Sequence, residues 1–231
     1  MKIGIIPARY ASTRFPGKPL MLIHNKPMIQ HVYERAKEAD LDDLYVATDD
    51  DRIKNVVESF GGKVIMTGLH HASGTDRCAE TAQMLNLKDT DFIINIQGDE
   101  PFIRKEEINL LINLIENQKV QIATLVKPVS NEEELNNPNK VKVVFTVSNR
   151  ALYFSRSPIP HSPLTAHKHI GIYAYRNDIL QQITKLPISK LEESEKLEQL
   201  RWLENNFTIY VEICHHESIA IDTPEDLQMI R

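Results

Sequence analysis

The sequence predicts an α/β protein with a doubly wound, mainly parallel sheet and a smaller strand-rich lobe. Short apolar runs alternate with segments of helical period through the first half of the chain. A repeated strand, helix, strand order places successive strands side by side in one orientation, so this alternation favours a parallel sheet covered by helices. From Val141 the pattern changes to closely spaced strands. We therefore expect a single domain over 1–231 in which about 141–190 forms a smaller lobe or insertion.

The strand candidates are short runs rich in Ile, Val and Leu. In the first half of the chain they cover 3–6, 44–48, 64–66, 92–96 and 122–126. In the second half they cover 141–145, 170–174 and 207–213. Because the first five are separated by helical segments, they are expected to form the parallel part of the sheet.

The helix candidates have one apolar stripe or a recognisable end. Residues 27–39 place five apolar side chains on one face: Met28, Ile29, Val32, Tyr33 and Ala36. Residues 50–60 stop at a Gly-Gly pair, which is typical of a helix end. A helix over about 192–205 is expected to bury Leu197, Leu200 and Leu203. A last helix is expected to begin at Thr223, which can cap the amides that follow it.

The composition excludes several classes of protein. The chain has 42% hydrophobic and 26% charged residues, and 32 acidic against 27 basic residues give a net charge of -5. This balance gives nucleic acid no general electrostatic reason to bind. The sequence shows neither a charged leader with a long apolar stretch nor a membrane-spanning run, so we expect a cytoplasmic protein. Cys78 and Cys214 form no CxxC pair and are expected to be buried free thiols.

The loop after the first strand carries a local excess of positive charge. Residues 7–20 contain Arg9, Arg14 and Lys18 together with the hydroxyl of Ser12. The loop matches neither a Walker A motif nor a GxGxxG fingerprint, which disfavours P-loop kinases and dinucleotide dehydrogenases. Its charges favour a small polyanion such as a triphosphate, because guanidinium and ammonium groups bind phosphate oxygens. A solvated basic loop is the alternative.

Two aspartates are candidate magnesium ligands. Asp99 follows the strand over 92–96, and Gly98 before it allows the backbone to approach a ligand closely. Asp222 precedes Thr223, which can cap the last helix and leave the carboxylate for another task. Magnesium prefers oxygen ligands and usually takes one or two carboxylates. Asp99 could instead only cap a helix.

Two pairs of adjacent histidines, at 70–71 and 215–216, raise the possibility of zinc. Adjacent residues on a strand point to opposite faces, and neither pair has nearby cysteines. We therefore do not expect a zinc site.

An ordered set of motifs resembles the 3-deoxy-manno-octulosonate cytidylyltransferase family over nearly the whole chain. Besides the first loop, the motifs are NKPMI at 25–29, VATD at 46–49, SGTDR at 73–77, NIQGDEP at 95–101, YFSR at 153–156, HIGIY at 169–173, LEQLR at 197–201 and IDTPEDL at 221–227. The resemblance implies the fold of nucleotide-diphospho-sugar transferases and a homodimer formed through the smaller region. It also implies transfer of CMP from CTP to the octulosonate for lipopolysaccharide synthesis, with Mg²⁺ and release of pyrophosphate.

The resemblance assigns a role to each matching residue. The nucleotide would be bound by Pro7, Ala8, Arg9, Ser12, Arg14, Lys18, Ser73, Gly74, Arg77 and Gln97. The sugar would be bound by Gln97, Arg156, His169, Tyr173, Glu198 and Gln199. Lys18, Asp99 and Asp222 would be catalytic, and the two aspartates would hold the metal. Residue by residue, a helix cap at Ser73, a surface arginine at Arg77, a core Tyr173 and a solvated helix face at 198–199 remain alternatives.

One segment departs from the family pattern. Between Pro160 and His169 only eight residues, 161–168, are present, where family members commonly have a longer charged loop. A family loop arginine has no clear counterpart, so the choice among acidic sugars stays open. The alternatives are an amino-substituted octulosonate, a nonulosonate, or a nucleotide-binding module without catalytic activity.

Overall fold

The computed structural model describes residues 1–11 and 15–215. By its contacts the chain divides into two compact units, Met1–Asn109 and Leu110–His215. The expected smaller lobe over 141–190 falls inside the second unit, and its role in dimerisation stays a prediction. None of the helices in the described ranges combines the length and the apolarity needed to cross a membrane.

The first unit contains a parallel sheet with helices and a separate antiparallel pair of strands. Its strands are β1 (Lys2–Ala8), β2 (Leu22–Ile23), β3 (Lys26–Pro27), β4 (Asp43–Thr48), β5 (Val64–Met66) and β6 (Phe92–Asn95). The separate antiparallel pair is β2 with β3. Its helices are α1 (Met28–Ala36), α2 (Asp51–Ser59), α3 (Gly74–Met84) and α4 (Lys105–Ile115), the last of which runs across the division between the units. The order β6, β1, β4, β5 with parallel pairing throughout confirms the predicted sheet. Parallel strands end at one edge, so the loops after β1, β4 and β6 share that edge.

The expected stripe of α1 packs as predicted. All five of its apolar side chains are buried: Met28, Ile29, Val32, Tyr33 and Ala36. The helix α2 begins after Asp50, whose carboxylate accepts a hydrogen bond from the backbone amide of Arg52 at 2.9 Å. Caps of this kind satisfy amides that have no partner within the helix.

The second unit is a mixed sheet with short helices. Its strands are β7 (Ile122–Pro128), β8 (Lys142–Phe145), β9 (Ala151–Ser155), β10 (His167–Arg176) and β11 (Ile209–Ile213). Its helices are α5 (Glu132–Asn136), α6 (Asn177–Ile183), α7 (Lys190–Glu195) and α8 (Gln199–Glu204). β7 pairs parallel with β11 and antiparallel with β10, and β10, β8 and β9 continue antiparallel. The pairing of β10 with β7 is irregular between Ile170 and Tyr173, where β10 forms a bulge.

The single helix expected over 192–205 is wrong, because the structure has two helices there. Lys196 ends α7 in the left-handed conformation with φ of 55°, and α8 starts at Gln199. A left-handed residue interrupts the helical ladder, and lysine gives no such signal in the sequence. Leu197 and Leu200 are buried as expected, whereas Leu203 is partly exposed. Cys78 and Cys214 are buried free thiols, which confirms their assignment.

Candidate active site

A cavity of about 230 Å³ lies at the carboxyl edge of the first unit's sheet. Eight of the predicted nucleotide-binding residues line it, together with the catalytic candidate Asp99: Pro7, Ala8, Arg9, Lys18, Ser73, Gly74, Arg77 and Gln97. Three further predicted residues, Ser12, Arg14 and Asp222, lie outside the described residues. The structure therefore brings together residues from three separate motifs, and their roles toward a nucleotide stay predictions.

Lys18 and Asp99 form an ion pair in the cavity wall. The ammonium nitrogen of Lys18 lies 3.0 Å from Oδ2 of Asp99. Gly17, with φ of 72°, turns the first loop into a short 3-10 helix over Lys18–Leu20. This turn buries Lys18 to 9% exposure, so the alternative of a solvated basic loop is wrong for Lys18. The Asp99 side chain is 38% exposed, so its carboxylate remains accessible from the cavity.

Two glycines let three chain segments meet beside Pro7. A Cβ atom built on Gly98 would lie 3.1 Å from the carbonyl oxygen of Pro7. A Cβ atom on Gly74 would lie 3.1 Å from Cγ of the Pro7 ring. Both contacts are tighter than ordinary van der Waals distance, so glycine allows the end of β1 to approach α3 and the loop after β6. The cavity walls depend on this close approach.

The guanidinium of Arg77 is held inside the unit. Its Nη2 donates to Oδ2 of Asp49 at 2.9 Å, and its Nη1 donates to the hydroxyl of Thr67. Arg77 is 3% exposed, so the alternative of an ordinary surface arginine is wrong. Asp49 follows β4 at the same sheet edge. A carboxylate directly after a strand was the sequence signal that could have identified it as a site residue. This contact fixes the plane of a cation in the cavity wall.

The first turn of α3 borders the cavity. The Ser73 hydroxyl accepts from the backbone amide of Asp76 at 3.1 Å, and the Asp76 carboxylate accepts from the Ser73 amide at 3.1 Å. Ser73 therefore caps α3, as one alternative predicted, and together with Asp76 it forms a capping box. Ser73 and Gly74 line the cavity as well, so the positive end of the helix dipole faces this space.

His71 lines the cavity but was not among the predicted site residues. Its Nε2 contacts the carboxylate of Glu80, which also accepts from the backbone amide of Gly68 at 2.8 Å. Burial opposes ionisation of Glu80, but these two hydrogen bonds outweigh it and lower the pKa of the carboxyl group. His70 and His71 lie outside any strand with ring centroids 4.5 Å apart, so the expectation that they point to opposite faces of a strand is wrong.

Among the described residues, His70 and His71 do not belong to a larger cluster of metal-binding side chains. Over residues 1–11 and 15–215, no group of three or more His, Cys, Asp and Glu side chains is placed to hold an ion.

A cluster of aromatic rings in the second unit contains two predicted sugar residues. The ring of His169 lies 5.2 Å from that of Phe154 and 5.2 Å from that of Tyr173. Tyr173 also packs against Tyr175 and Trp202. Burial lowers the pKa of His169 to about 3, and burial followed by the charge of Glu198 raises the pKa of Tyr173 well above its usual value. Both side chains are therefore neutral near pH 7.

Two buried polar atoms of the second unit lack partners among the described residues. The hydroxyl of Tyr173 and the amide Nε2 of Gln199 are buried without a hydrogen bond there. Gln199 is 5% exposed, so the alternative of a solvated helix face is wrong for it. Tyr173 is a core residue by burial, at 7% exposure. Buried donors without partners cost free energy, which makes them candidates for contact with a ligand.

Glu198 and Arg156 have protein partners. Oε1 of Glu198 accepts from Nη2 of Arg201 at 2.9 Å. The Arg156 guanidinium donates to three backbone carbonyls, those of Glu195 at 2.7 Å, Pro138 at 3.0 Å and Lys196 at 3.3 Å. Arg156 thus binds the protein's own backbone, and a contact with the sugar carboxylate stays a prediction.

Comparison with known proteins identifies the family. The cytidylyltransferase family model matches residues 3–213. The 3-deoxy-manno-octulosonate cytidylyltransferase of Thermodesulfovibrio yellowstonii is 53% identical, over 98% of this chain and 95% of that protein. The 8-amino-3,8-dideoxy-manno-octulosonate cytidylyltransferase of Shewanella pealeana is also 53% identical, over 97% of this chain and 95% of that protein.

A solved structure gives the same result for the fold. The structure of CMP:2-keto-3-deoxy-manno-octonic acid synthetase complexed with CTP matches with a TM-score of 0.93 and 43% identity. The match covers 99% of this chain and 96% of that chain. It confirms an α/β nucleotidyltransferase fold for the elements described above. The cavity is lined by cations, and the family model spans both units. The chain therefore belongs to the cytidylyltransferase family.

Proposed function

We propose that this chain transfers CMP from CTP to the anomeric hydroxyl of 3-deoxy-manno-octulosonate, giving the CMP-sugar and pyrophosphate. The observation that carries the proposal is the cavity, which is lined by Lys18, Arg77, the first turn of α3 and an accessible carboxylate, Asp99. The names of relatives at 53% identity support the choice of sugar.

We assign CTP to the first unit. A triphosphate needs several positive groups, and the cavity offers Lys18, Arg9 and the helix dipole of α3. The base would lie against Pro7, Ala8 and the SGTDR segment, where Arg77 is held in place by Asp49. We expect Ser12 and Arg14 to add to the phosphate contacts.

We assign the sugar to the second unit. Its hydroxyls and carboxylate need several hydrogen-bonding partners, and this unit contains the unpaired donors of Tyr173, in the aromatic cluster, and of Gln199, at the start of α8. Both side chains belong to motifs of the family, as does His169. We also expect Gln97 and Arg156 to contribute to sugar binding.

The cavity residues fit a magnesium ion. Asp99 supplies a carboxylate, the ligand type that magnesium prefers, and it lines the cavity that we assign to the phosphates. We expect Asp222 to be its partner. When bound, the ion would neutralise phosphate charge and make the sugar hydroxyl easier to deprotonate.

The chain's own residues would act by positioning and charge. The sugar hydroxyl oxygen loses its proton to water and forms a bond to the α-phosphorus, while the bond from that phosphorus to the bridging oxygen of pyrophosphate breaks. No protein nucleophile is needed. Lys18 would stabilise the negative charge that develops on the leaving group, because its ammonium is fixed beside Asp99.

The test is turnover with a panel of sugars. The purified chain is incubated with CTP, Mg²⁺ and either 3-deoxy-manno-octulosonate, its 8-amino analogue or a nonulosonate, and pyrophosphate is measured. We expect the highest kcat/KM with 3-deoxy-manno-octulosonate. A higher value with the 8-amino sugar would favour the second candidate, which the equally similar Shewanella relative supports. Nucleotide binding without turnover on any sugar would contradict the proposal.

Asp49→Asn is expected to raise the KM for CTP about tenfold with a smaller change in kcat, because losing a charged hydrogen-bond partner costs roughly 1–3 kcal/mol. The cause is freer motion of the Arg77 guanidinium, whose Nη2 donates to Oδ2 of Asp49 at 2.9 Å in the parent protein. Steady-state kinetics with CTP varied would measure it. Asp50→Asn is the matched control, since asparagine also caps a helix and Asp50 does not line the cavity. Equal kinetics for the two variants would argue against this role of Asp49.

We further propose that the chain works as a homodimer in the cytoplasm, as the family resemblance implies. Exposed apolar side chains in the second unit, Val147 and Leu152, are compatible with a covered surface there. Light scattering during gel filtration is expected to give twice the chain mass, and a monomer at micromolar concentration would contradict it. Cell fractionation tests the location.

A further inference from the structure

The hydroxyl of Thr124 has no role in the proposed function, although it is fully buried in β7 of the second unit. Three polar atoms surround its Oγ1. Nε2 of His169 lies at 2.9 Å, the carbonyl oxygen of Ile172 at 2.8 Å and the carbonyl oxygen of Ile170 at 3.2 Å. Thr124 is not among the residues that the family resemblance assigns to the site.

The bulge in β10 explains why two carbonyls reach one hydroxyl. Ile170 pairs with Leu125, but the next paired residue, Tyr173, pairs with Thr124. Two residues of β10 are therefore accommodated without partners in the register, and the strand bends there. The carbonyl groups before and after Gly171 both contact Thr124.

The hydrogen-bond donors and acceptors around Thr124 determine whether Nε2 of His169 carries a proton. A hydroxyl has one proton to donate, and carbonyl oxygens can only accept. That proton goes to a carbonyl of Ile170 or Ile172, so Nε2 of His169 must donate to Oγ1. An unprotonated Nε2 would place three acceptors around one proton, with lone pairs facing one another at hydrogen-bond distance.

The ring is also neutral. Burial lowers the pKa of His169 to about 3, so the doubly protonated form is negligible near pH 7. A neutral imidazole with its proton on Nε2 has an unprotonated Nδ1, which accepts hydrogen bonds and cannot donate them. No described residue donates to Nδ1, and His169 retains some accessible surface.

We propose that Thr124 is a positioning residue that fixes His169 in the Nε2-protonated tautomer, so that Nδ1 accepts a hydrogen bond from a hydroxyl of the sugar. The proposal rests on the proposed function in one respect, that His169 binds the sugar. A sugar carboxylate is excluded as the partner of Nδ1, because both groups offer lone pairs. Donors such as the Tyr173 hydroxyl, which lacks a partner among the described residues, suit the carboxylate better.

The first experiment measures the tautomer without any ligand. Nitrogen-15 NMR of the full chain with labelled histidine distinguishes protonated from unprotonated ring nitrogens, and a His169→Asn spectrum identifies the signals of His169 among the nine histidines. We expect Nε2 at the frequency of a protonated nitrogen and Nδ1 at that of an unprotonated one. A proton on Nδ1, or on both nitrogens, would overturn the proposal.

The second experiment compares Thr124→Val with Thr124→Ser. Valine keeps the shape and removes the hydroxyl, whereas serine keeps the hydroxyl. In Thr124→Val we expect both tautomers of His169 to be populated and the KM for the sugar to rise about tenfold. The KM for CTP should stay within about twofold of the parent value. In Thr124→Ser we expect the parent tautomer and the parent KM for the sugar. An unchanged tautomer and an unchanged sugar KM in Thr124→Val would refute the positioning role.

The two experiments also separate this proposal from the proposed function. If no acidic sugar is turned over, the proposed function fails, while the NMR result still decides the tautomer. If turnover is normal but the tautomer is wrong, only the present proposal fails. Melting curves of both variants show whether the valine protein is folded under the conditions of the assay.

Discussion

Asp99→Asn is expected to lower kcat by about 10²–10³-fold, because under the proposed function it removes a negative charge that would hold the metal beside the reacting phosphates. Asparagine keeps the size of the side chain but removes a negative charge that lies 3.0 Å from the Lys18 ammonium. The Asp99 side chain is 38% exposed, so the change in folding free energy is expected to be at most about 1 kcal/mol. Kinetics at several Mg²⁺ concentrations and a melting curve measure the two effects.

Controls and a partner variant sharpen this result. Asp89→Asn, at an exposed position away from the cavity, is the matched control and should keep full activity. If Asp99 and Asp222 hold one metal, the loss in the double asparagine variant will be much smaller than the product of the single losses. Multiplicative losses, or an unaltered Mg²⁺ requirement in Asp99→Asn, would contradict the proposed metal role.

Lys18→Met is expected to reduce kcat/KM for CTP by about 10²-fold, the usual loss when one group that stabilises developing charge is removed. Methionine fills a similar volume, so the variant mainly deletes the ammonium. Because Lys18 is buried to 9% exposure and paired with Asp99, a small fall in the melting temperature should accompany the loss. Kinetics with CTP varied and a thermal melt check both.

The matched control is Lys26→Met. Lys26 also forms an ion pair with a carboxylate, that of Glu34 at 2.7 Å, but its side chain is 39% exposed and does not line the cavity. It should retain nearly all activity. Similar losses in the two variants would show that the effect of Lys18 is general electrostatics and not a contact with the triphosphate.

Most of the fold could be predicted because strand and helix periods are local signals. The stripe of α1 follows from apolar spacing, and the alternation of strand and helix candidates favours the parallel pairing of β1 with β4 and β6. The break at Lys196 could not, because its left-handed conformation depends on contacts from distant residues. The bulge of β10 likewise depends on pairing with β7.

The candidate site was predictable in its motifs and less so in its contacts. The sequence indicated Lys18 and Asp99 separately, but only the folded chain joins residues 81 positions apart. It also indicated Arg77 without assigning a role to Asp49, which ends the VATD motif, and His169 without Thr124, which lies in none of the motifs. Burial was the least predictable property, as Lys18 and Gln199 illustrate.

The three carbonyl contacts of Arg156 have a consequence for how mutational data on sugar preference are interpreted. Two of those carbonyls belong to Glu195 and Lys196, at the turn that leads into Glu198 and Gln199. An alanine at Arg156 would loosen this turn even if the arginine never touched a ligand. Weak sugar binding in such a variant would therefore not separate a lost contact from a displaced helix start. Specificity is better explored by exchanging Gln199 itself, since its amide nitrogen has no partner among the described residues and its loss leaves the turn intact.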